Sequence, residues 1–217
     1  MENGLLLVVS GPSGCGKGSI LKKLESFEGL AFGISATTRK KRPGELDGVD
    51  YYFLDEQDFL RRVENGEMLE YNKYCNNYYG TLKEDVCRLL KENDVVVLEI
   101  DVNGARNICK HMNCVKVFIL PPSFEVLKER LSKRGTETEL SLLSRLRRAI
   151  VEEIKMAYLY DYVVVNNELN KAVEDIKNII YCEKFGFCNI VPAPYSKEYC
   201  EKLKVCNMKQ FIDRFLE

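Results

Sequence analysis

Seven residues near the start of the chain, Gly11-Pro-Ser-Gly-Cys-Gly-Lys17, have the types and spacing to cradle a polyphosphate. Gly11, Gly14 and Gly16 let backbone N–H groups converge on phosphate oxygens where a Cβ would intrude. A helix starting after the turn adds its positive end, and Lys17 can reach the outer phosphates. The run fits the first seven positions of the G-x-x-x-x-G-K-[ST] loop and stands between a strand-like and a helix-like stretch, as that motif requires. The eighth position departs from it: Gly18 stands where a hydroxyl residue binds Mg²⁺, and Ser19 follows one place late. Candidate metal contacts are then Ser19 and Asp101, through water, since magnesium commonly keeps several waters. Cys15 reads as a small loop filler, at a helix N-terminus that would lower its pKa.

Other chemistry is spread further along. Arg39-Lys-Lys-Arg42 places two arginines around a turn, able to fork onto phosphate oxygens bidentately. The same run could be a solvated or nucleic-acid-binding turn, but the acidic stretch 45–50 directly after it opposes the second reading. Glu99 and Asp101 close a strand-like run and point the same way, at the edge where parallel α/β sheets bind ligands. Glu70, taken alone, reads as a solvated strand carboxylate. In a helix spanning 139–158, Arg145, Arg148 and Glu152 share one face opposite Leu142, Leu146, Ile150 and Ile154. The single histidine, His111, lies far from any motif and reads as structural.

These groups need a scaffold. Residues 5–10, 95–100, 115–120 and 162–165 are apolar runs without alternation, suited to strands buried on both faces of a parallel sheet. Helix-like stretches at 20–24, 103–112, 123–133, 139–158 and 172–182 separate them, the pattern of a three-layer α/β domain. Residues 35–81 break the rhythm with a basic turn, strand candidates at 50–54 and 67–74 and a short helix between, and read as an inserted β-rich subdomain. The polar segment after Lys133-Arg134 reads as a lid. The core is expected at 1–34, 82–133 and 148–185, the lid at 134–147, and a C-terminal extension, helical and docked, at 186–217.

A length of 217 residues suits one domain with small insertions. The balance of 32 basic and 33 acidic side chains argues against a general nucleic-acid or membrane-surface binder. No run of 18 apolar residues and no signal-type segment is present, so a cytoplasmic protein is expected. Nine scattered cysteines without a Cys-x-x-Cys pair argue against zinc and for reduced thiols.

Taken in order, the sequence blocks resemble the guanylate kinase family over about residues 6–185. They are the loop at 11–17, Ser35-Ala-Thr-Thr-Arg-Lys-Lys-Arg-Pro-Gly-Glu45 running to Tyr51, Glu70 with Asn77-Tyr-Tyr-Gly-Thr81, and Leu98-Glu-Ile-Asp-Val-Asn-Gly-Ala105. Arg134-Gly-Thr-Glu-Thr138 and the run 160–166 extend the match. The resemblance implies an α/β three-layer P-loop kinase fold with a parallel central sheet, an inserted GMP-binding subdomain and a helical lid. It implies transfer of a phosphoryl group from ATP to GMP or dGMP with Mg²⁺. Gly11, Ser13, Gly14, Cys15, Gly16, Lys17, Gly18, Ser19 and Asn166 would then meet ATP, Asn166 at the adenine. Ser35, Arg39, Arg42, Glu45, Tyr51, Glu70, Tyr79, Thr81, Glu99 and Asp101 would form the GMP site, and Lys17, Arg39, Arg134 and Arg145 would act in catalysis, with Arg130 assisting. Glu70 would read guanine, whose N1–H and 2-amino donors suit a carboxylate that repels adenine's edge. The competing readings are another small-molecule kinase with the same loop, and an inactive guanylate kinase-like domain that binds protein. Ser35–Glu45 and Glu70 oppose the first; the intact Lys17 loop and arginines oppose the second.

Overall fold

The computed structural model describes residues 4–74, 76–108, 110–132, 146–147, 149–186, 201–213 and 215. Its central sheet has five parallel strands in the order β2-β7-β1-β8-β9: β1 (Leu5–Ser10), β2 (Leu30–Phe32), β7 (Val95–Glu99), β8 (Val115–Leu120) and β9 (Tyr162–Val165). The unbroken apolar runs are explained by what covers each face. Leu6, Val8, Val96, Leu98, Phe118, Leu120 and Val163 enter one core layer, while Leu7, Val9, Val95, Val97, Val117, Ile119, Tyr162 and Val164 enter the other. Strand side chains alternate, so a strand buried on both sides has no position left for a polar residue.

Helices close both layers. On one face lie α1 (Lys17–Leu24), through Ile20, Leu21 and Leu24, and α6 (Leu169–Phe185), through Ala172, Val173, Ile176, Ile179 and Ile180. On the other lie α3 (Lys83–Glu92), through Val86 and Leu90, and α4 (Val102–Ile108), through Val102, Ala105 and Ile108. Helix α5 (Phe124–Ser132) packs Leu127 and Leu131 against Leu146 and Ala149. In the tail, α7 (Lys209–Asp213) brings Ile212, and Phe215 follows it, into the layer containing α4. Lys204 makes an antiparallel bridge to Tyr162.

A second sheet, in the order β4-β3-β6-β5, is mixed: β3 (Ser35–Thr37) runs parallel to β4 (Tyr52–Phe53) and antiparallel to β6 (Asn77–Leu82), which pairs antiparallel with β5 (Met68–Tyr74). The β5–β6 register shifts between Met68 and Glu70, a β-bulge. Helix α2 (Glu56–Glu64) covers the outer face with fully buried Phe59, stacked on Tyr78 at 5.5 Å, and is capped by the Asp55 carboxylate accepting from Asp58 N at 2.7 Å.

Two local differences from expectation have physical reasons. The continuous helix expected at 139–158 is, in its described part, a π-turn over Ala149–Glu153 followed by a 3₁₀ helix over Ile154–Leu159. Ile154, Ala157 and Tyr160 are the buried positions, and a spacing of three matches the three-residue turn of a 3₁₀ helix rather than 3.6. Helix α3, not anticipated, starts directly from β6 and buries Val86 and Leu90 at helical spacing. Cys15, Cys87, Cys182 and Cys206 stand outside any disulfide, whereas Cys114 is disulfide-bonded, contrary to fully reduced cysteines.

Candidate active site

Between β1 and α1 the chain makes the phosphate loop. Gly11 has φ 152°, and a Cβ there would stand 2.3 Å from Ile119 O; Gly16 has φ 93°, and its Cβ would meet Asn166 Nδ2 at 2.3 Å. Only glycine allows this conformation and this closeness at those two places. Lys17 Nζ lies across the loop, donating to Gly11 O at 2.6 Å and Pro12 O at 3.4 Å. Those bonds hold the ammonium against the backbone of the loop itself.

The loop is braced from beneath. Asn166 Nδ2 donates to Cys15 O at 2.8 Å, Arg130 Nη1 donates to the same oxygen at 3.3 Å, and Arg130 Nη2 donates to Asn166 O at 3.1 Å. Asn166, expected at an adenine, is buried in this arrangement. Cys15 is fully buried, and burial lifts its thiol above the usual value despite the opposing Lys17 charge. The lowering expected from the helix N-terminus is therefore outweighed, and Cys15 fills the loop as a neutral thiol. Gly18 is different in kind: a Cβ there meets nothing within 4 Å. Ser19 beside it is exposed.

Facing the cleft, the small sheet lines up its groups by register. Ser35 pairs with Thr81 and Thr81 with Glu70, so hydroxyl, hydroxyl and carboxylate form one row across β3, β6 and β5. Thr81 Oγ1 donates to Glu70 Oε1 at 2.7 Å. Glu70 is only 7% exposed. Burial lifts its carboxyl to about 7; the Thr81 bond opposes this and the charge of Asp101 adds to it. Its Oε2 faces Gly104, where a Cβ would come within 2.7 Å. The next row holds Thr37, Tyr79 and Asn72.

The basic turn is organised by one carboxylate. Arg39 forks onto Glu45 through Nη1 to Oε2 at 3.0 Å and Nη2 to Oε1 at 2.8 Å, and Arg42 N donates to Oε2 at 2.8 Å. The Arg39 bond, then the Arg42 N–H, hold the Glu45 carboxyl below the usual range. The Arg39 guanidinium stands 5.4 Å from the Tyr51 ring centre, and Tyr51 meets Tyr79 edge-on at 6.2 Å. Burial, ahead of other causes, raises the Tyr51 phenol, so it remains a donor. Arg42 is exposed. Glu99 is exposed at the end of β7, and its charge bears on both the Cys15 thiol and the Tyr51 phenol.

A phosphate loop thus faces a sheet carrying a buried acceptor and an arginine–tyrosine cluster. The family model described as guanylate kinase matches residues 3–183. This chain belongs to the guanylate kinase family. It is 47% identical over 186 residues to the guanylate kinase of Carboxydothermus hydrogenoformans, covering 85% of this chain and 91% of that protein. To the guanylate kinase of Enterococcus faecalis it is 47% identical over 193 residues, covering 88% and 94%. The crystal structure of guanylate kinase from Anaplasma phagocytophilum superposes with a TM-score of 0.68 at 30% identity, covering 100% of this chain and 98% of that one.

For a guanylate kinase the geometry brings together most of the residues expected from sequence. Gly11 to Ser19 run through the loop into the first turn of α1, and Ser35, Arg39, Arg42, Glu45, Tyr51, Glu70, Tyr79 and Thr81 belong to the small sheet or its basic turn, with Glu99 and Asp101 at the edge of the central sheet. Arg134, Arg145 and Arg148 lie outside the described residues. Sequence reasoning missed Asn72, whose Nδ2 donates to Asp101 Oδ2 at 3.0 Å, and the threonine pair that ties the basic turn to β6: Thr37 Oγ1 donates to Tyr78 O at 3.0 Å and accepts from Arg39 N at 3.1 Å, and Thr38 Oγ1 accepts from Tyr78 N at 2.9 Å. Asn72 stands two residues after Glu70 on the same strand, a spacing that puts it on the same face.

No three His, Cys, Asp or Glu side chains cluster as a metal site among the described residues. The protein groups expected at the ion are one hydroxyl, Ser19, and one carboxylate, Asp101. Such a sparse set fits an ion held chiefly by substrate phosphates and water. Among the described residues no helix is long and apolar enough to cross a membrane.

Proposed function

We propose that the chain transfers the γ-phosphoryl group of ATP to GMP or dGMP, with the small sheet as acceptor site and the loop at 11–19 as donor site. The observation that carries the acceptor assignment is Glu70: a buried carboxylate, bonded through one oxygen to Thr81 and flanked in register by Ser35. Guanine presents N1–H and the 2-amino group as adjacent donors, and a carboxylate accepts both. Binding guanine draws on the ionised form of Glu70, and adenine, with a ring acceptor at that edge, leaves the buried charge unpaired. A site built this way rejects the mismatched base by about 10⁴-fold.

Arg39, Arg42, Tyr51 and Tyr79 hold the monophosphate, the arginines by forked bonds and the tyrosines by their hydroxyls. Glu45 fixes Arg39 and the backbone at Arg42 before substrate arrives. Backbone N–H groups of Gly14, Cys15, Gly16, Gly18 and Ser19, with Ser13 and Lys17, hold the ATP phosphates, and Asn166 and Arg130 keep that loop in shape. A GMP phosphate oxygen is already ionised, so no general base is needed; the protein's task is alignment and charge neutralisation. Mg²⁺ bound with ATP supplies further neutralisation, with Ser19 and Asp101 as its protein contacts, through water. Arg134 and Arg145 are assigned by the family motif to the transferring group, beside Lys17.

The test is an acceptor panel. With ATP and Mg²⁺, purified protein should phosphorylate GMP and dGMP while AMP, CMP and UMP remain nearly inert. AMP turnover equal to that of GMP would reject the role of Glu70.

A further inference from the structure

Asn72 has no role in the site as assigned so far, yet its side chain crosses from the small sheet to the central one. Its amide nitrogen donates to Asp101 Oδ2 at 3.0 Å. The nitrogen must face Asp101, because an ionised carboxylate only accepts. The other oxygen, Oδ1, accepts backbone N–H groups from Asn103 at 3.0 Å and Gly104 at 2.8 Å, at the start of α4. Asp101 is therefore gripped from two sides: the helix fixes one oxygen, and a side chain from the opposite lobe fixes the other.

Register places this contact on the path of the acceptor nucleotide. Glu70 pairs with Thr81 in the row assigned to the base, and Asn72 pairs with Tyr79, which is assigned to the monophosphate. Asn72 and Asp101 thus meet at the step between base and phosphate, the stretch a nucleoside sugar must cross. The same point is electrostatically delicate. Glu70 Oε2 and Asp101 Oδ1 both crowd Gly104, lying 2.7 and 3.5 Å from the position of a Cβ there. Two carboxylates this near repel, so the donors that hold one of them in place matter for both. Among the described residues Asp101 has three such donors, and Asn72 is the one supplied by a side chain.

We propose that Asn72 is a positioning residue for the acceptor nucleotide, holding Asp101 across the cleft so that this carboxylate keeps a fixed orientation beside Glu70 at the level of the sugar. The role rests on the assignment of Glu70 and Asp101 to the GMP site. Asp101 is exposed, so the bond adds little to folding stability, and removing it tests function apart from structure.

Initial-rate kinetics on Asn72→Ala and Asn72→Asp, with GMP and ATP varied separately, provide the test. Alanine removes the donor and should raise KM for GMP by about 3–10-fold, the worth of one such hydrogen bond. Aspartate keeps the shape but sets a third carboxylate against Asp101, and should raise it further than alanine does. KM for ATP should rise much less than KM for GMP, because Asp101 is assigned to the ATP-bound Mg²⁺ only through water, and Tm should stay within a few degrees, by the small worth of an exposed contact. A purely structural Asn72 would lower Tm in both variants by more than a few degrees, and that loss would overturn the proposal. So would GMP affinity unchanged in both variants, or KM for ATP rising in parallel. Calorimetric titration of wild-type protein with GMP separates the layers: no binding and no turnover would reject the acceptor site itself and Asn72's role with it, whereas normal wild-type behaviour with indifferent variants rejects Asn72 alone.

Discussion

Arg39 and Glu45 meet as a bidentate pair, at 3.0 and 2.8 Å, with only 13% and 18% of their side chains exposed. Because Glu45 also accepts the Arg42 N–H, one carboxylate shapes the whole basic turn before any phosphate is present. Glu45→Gln keeps the shape but weakens the charge-assisted bonds. KM for GMP should rise roughly tenfold, the equivalent of about 1.4 kcal/mol, within the range for a hydrogen bond to a charged group. KM for ATP should stay within about twofold, since the turn belongs to the acceptor lobe. Equal losses for both substrates in initial-rate measurements would place Glu45 elsewhere.

Glu70 predicts a pH dependence in two directions. GMP needs its ionised form, and its carboxyl stands at about 7 in the ligand-free protein against a usual 4.5. As pH falls below 7, KM for GMP should climb, approaching tenfold per unit. For stability the sign reverses. Below pH 4.5 the group is protonated in both folded and unfolded chains and carries no penalty. Between 4.5 and 7 the unfolded chain ionises first, so stability is lost as pH rises and the full penalty remains above 7. Its size is roughly 3 kcal/mol for a shift of about 2.5 units. Glu70→Gln should therefore be more stable than wild type at pH 8 and similar at pH 4, while losing GMP turnover. Urea unfolding at the two pH values is the measurement; a stability difference independent of pH would contradict it.

What could be read from sequence divides by how local the cause is. The loop at 11–17 was legible because its glycines answer to backbone geometry alone, and the alternate faces of β1 fix a buried strand without further context. Glu70 needed its neighbours: by itself it is an ordinary strand carboxylate, and only the blocks around it mark it as a base reader. The 3₁₀ segment at Ile154–Leu159 was not legible, because a run of apolar residues does not reveal whether its buried face repeats every 3 or every 3.6 positions. Asn72 was missed for a different reason. Its partner lies 29 positions away in another lobe, and no property of residues 70–74 alone announces Asp101.

Gly18 tests the departure from the usual phosphate-loop pattern. It sits in the first turn of α1 with open space around it, so Gly18→Ala should stabilise the protein by up to about 1 kcal/mol through helix propensity. Gly18→Ser fits the same space and adds a hydroxyl directly after Lys17. The Mg²⁺ concentration giving half-maximal rate should fall in the serine variant and not in the alanine one. Thermal unfolding and a magnesium titration of the rate check the two parts separately.

The tail is part of the folded core rather than an appendage at Ile212, which is fully buried beside residues of α4 and the 3₁₀ turn. Ile212→Ala should cost about 2–5 kcal/mol, as large-to-small changes in a packed core do. Denaturant unfolding followed by far-UV circular dichroism measures it; a cost below about 1 kcal/mol, the range of surface substitutions, would show that the tail docks loosely.

The bulge between Met68 and Glu70 carries a consequence for how this enzyme tolerates change. Two residues of β5 are fitted against one of β6 there, between the pairs Met68–Leu82 and Glu70–Thr81. A deletion inside the bulge would restore a plain ladder and keep Glu70 opposite Thr81, whereas a deletion between Glu70 and Asn72 would move Asn72 and the residues after it one place along β6 and onto the other face. The strand thus has slack on one side of its carboxylate and none on the other, and a lost codon is absorbed or ruinous according to the side on which it falls.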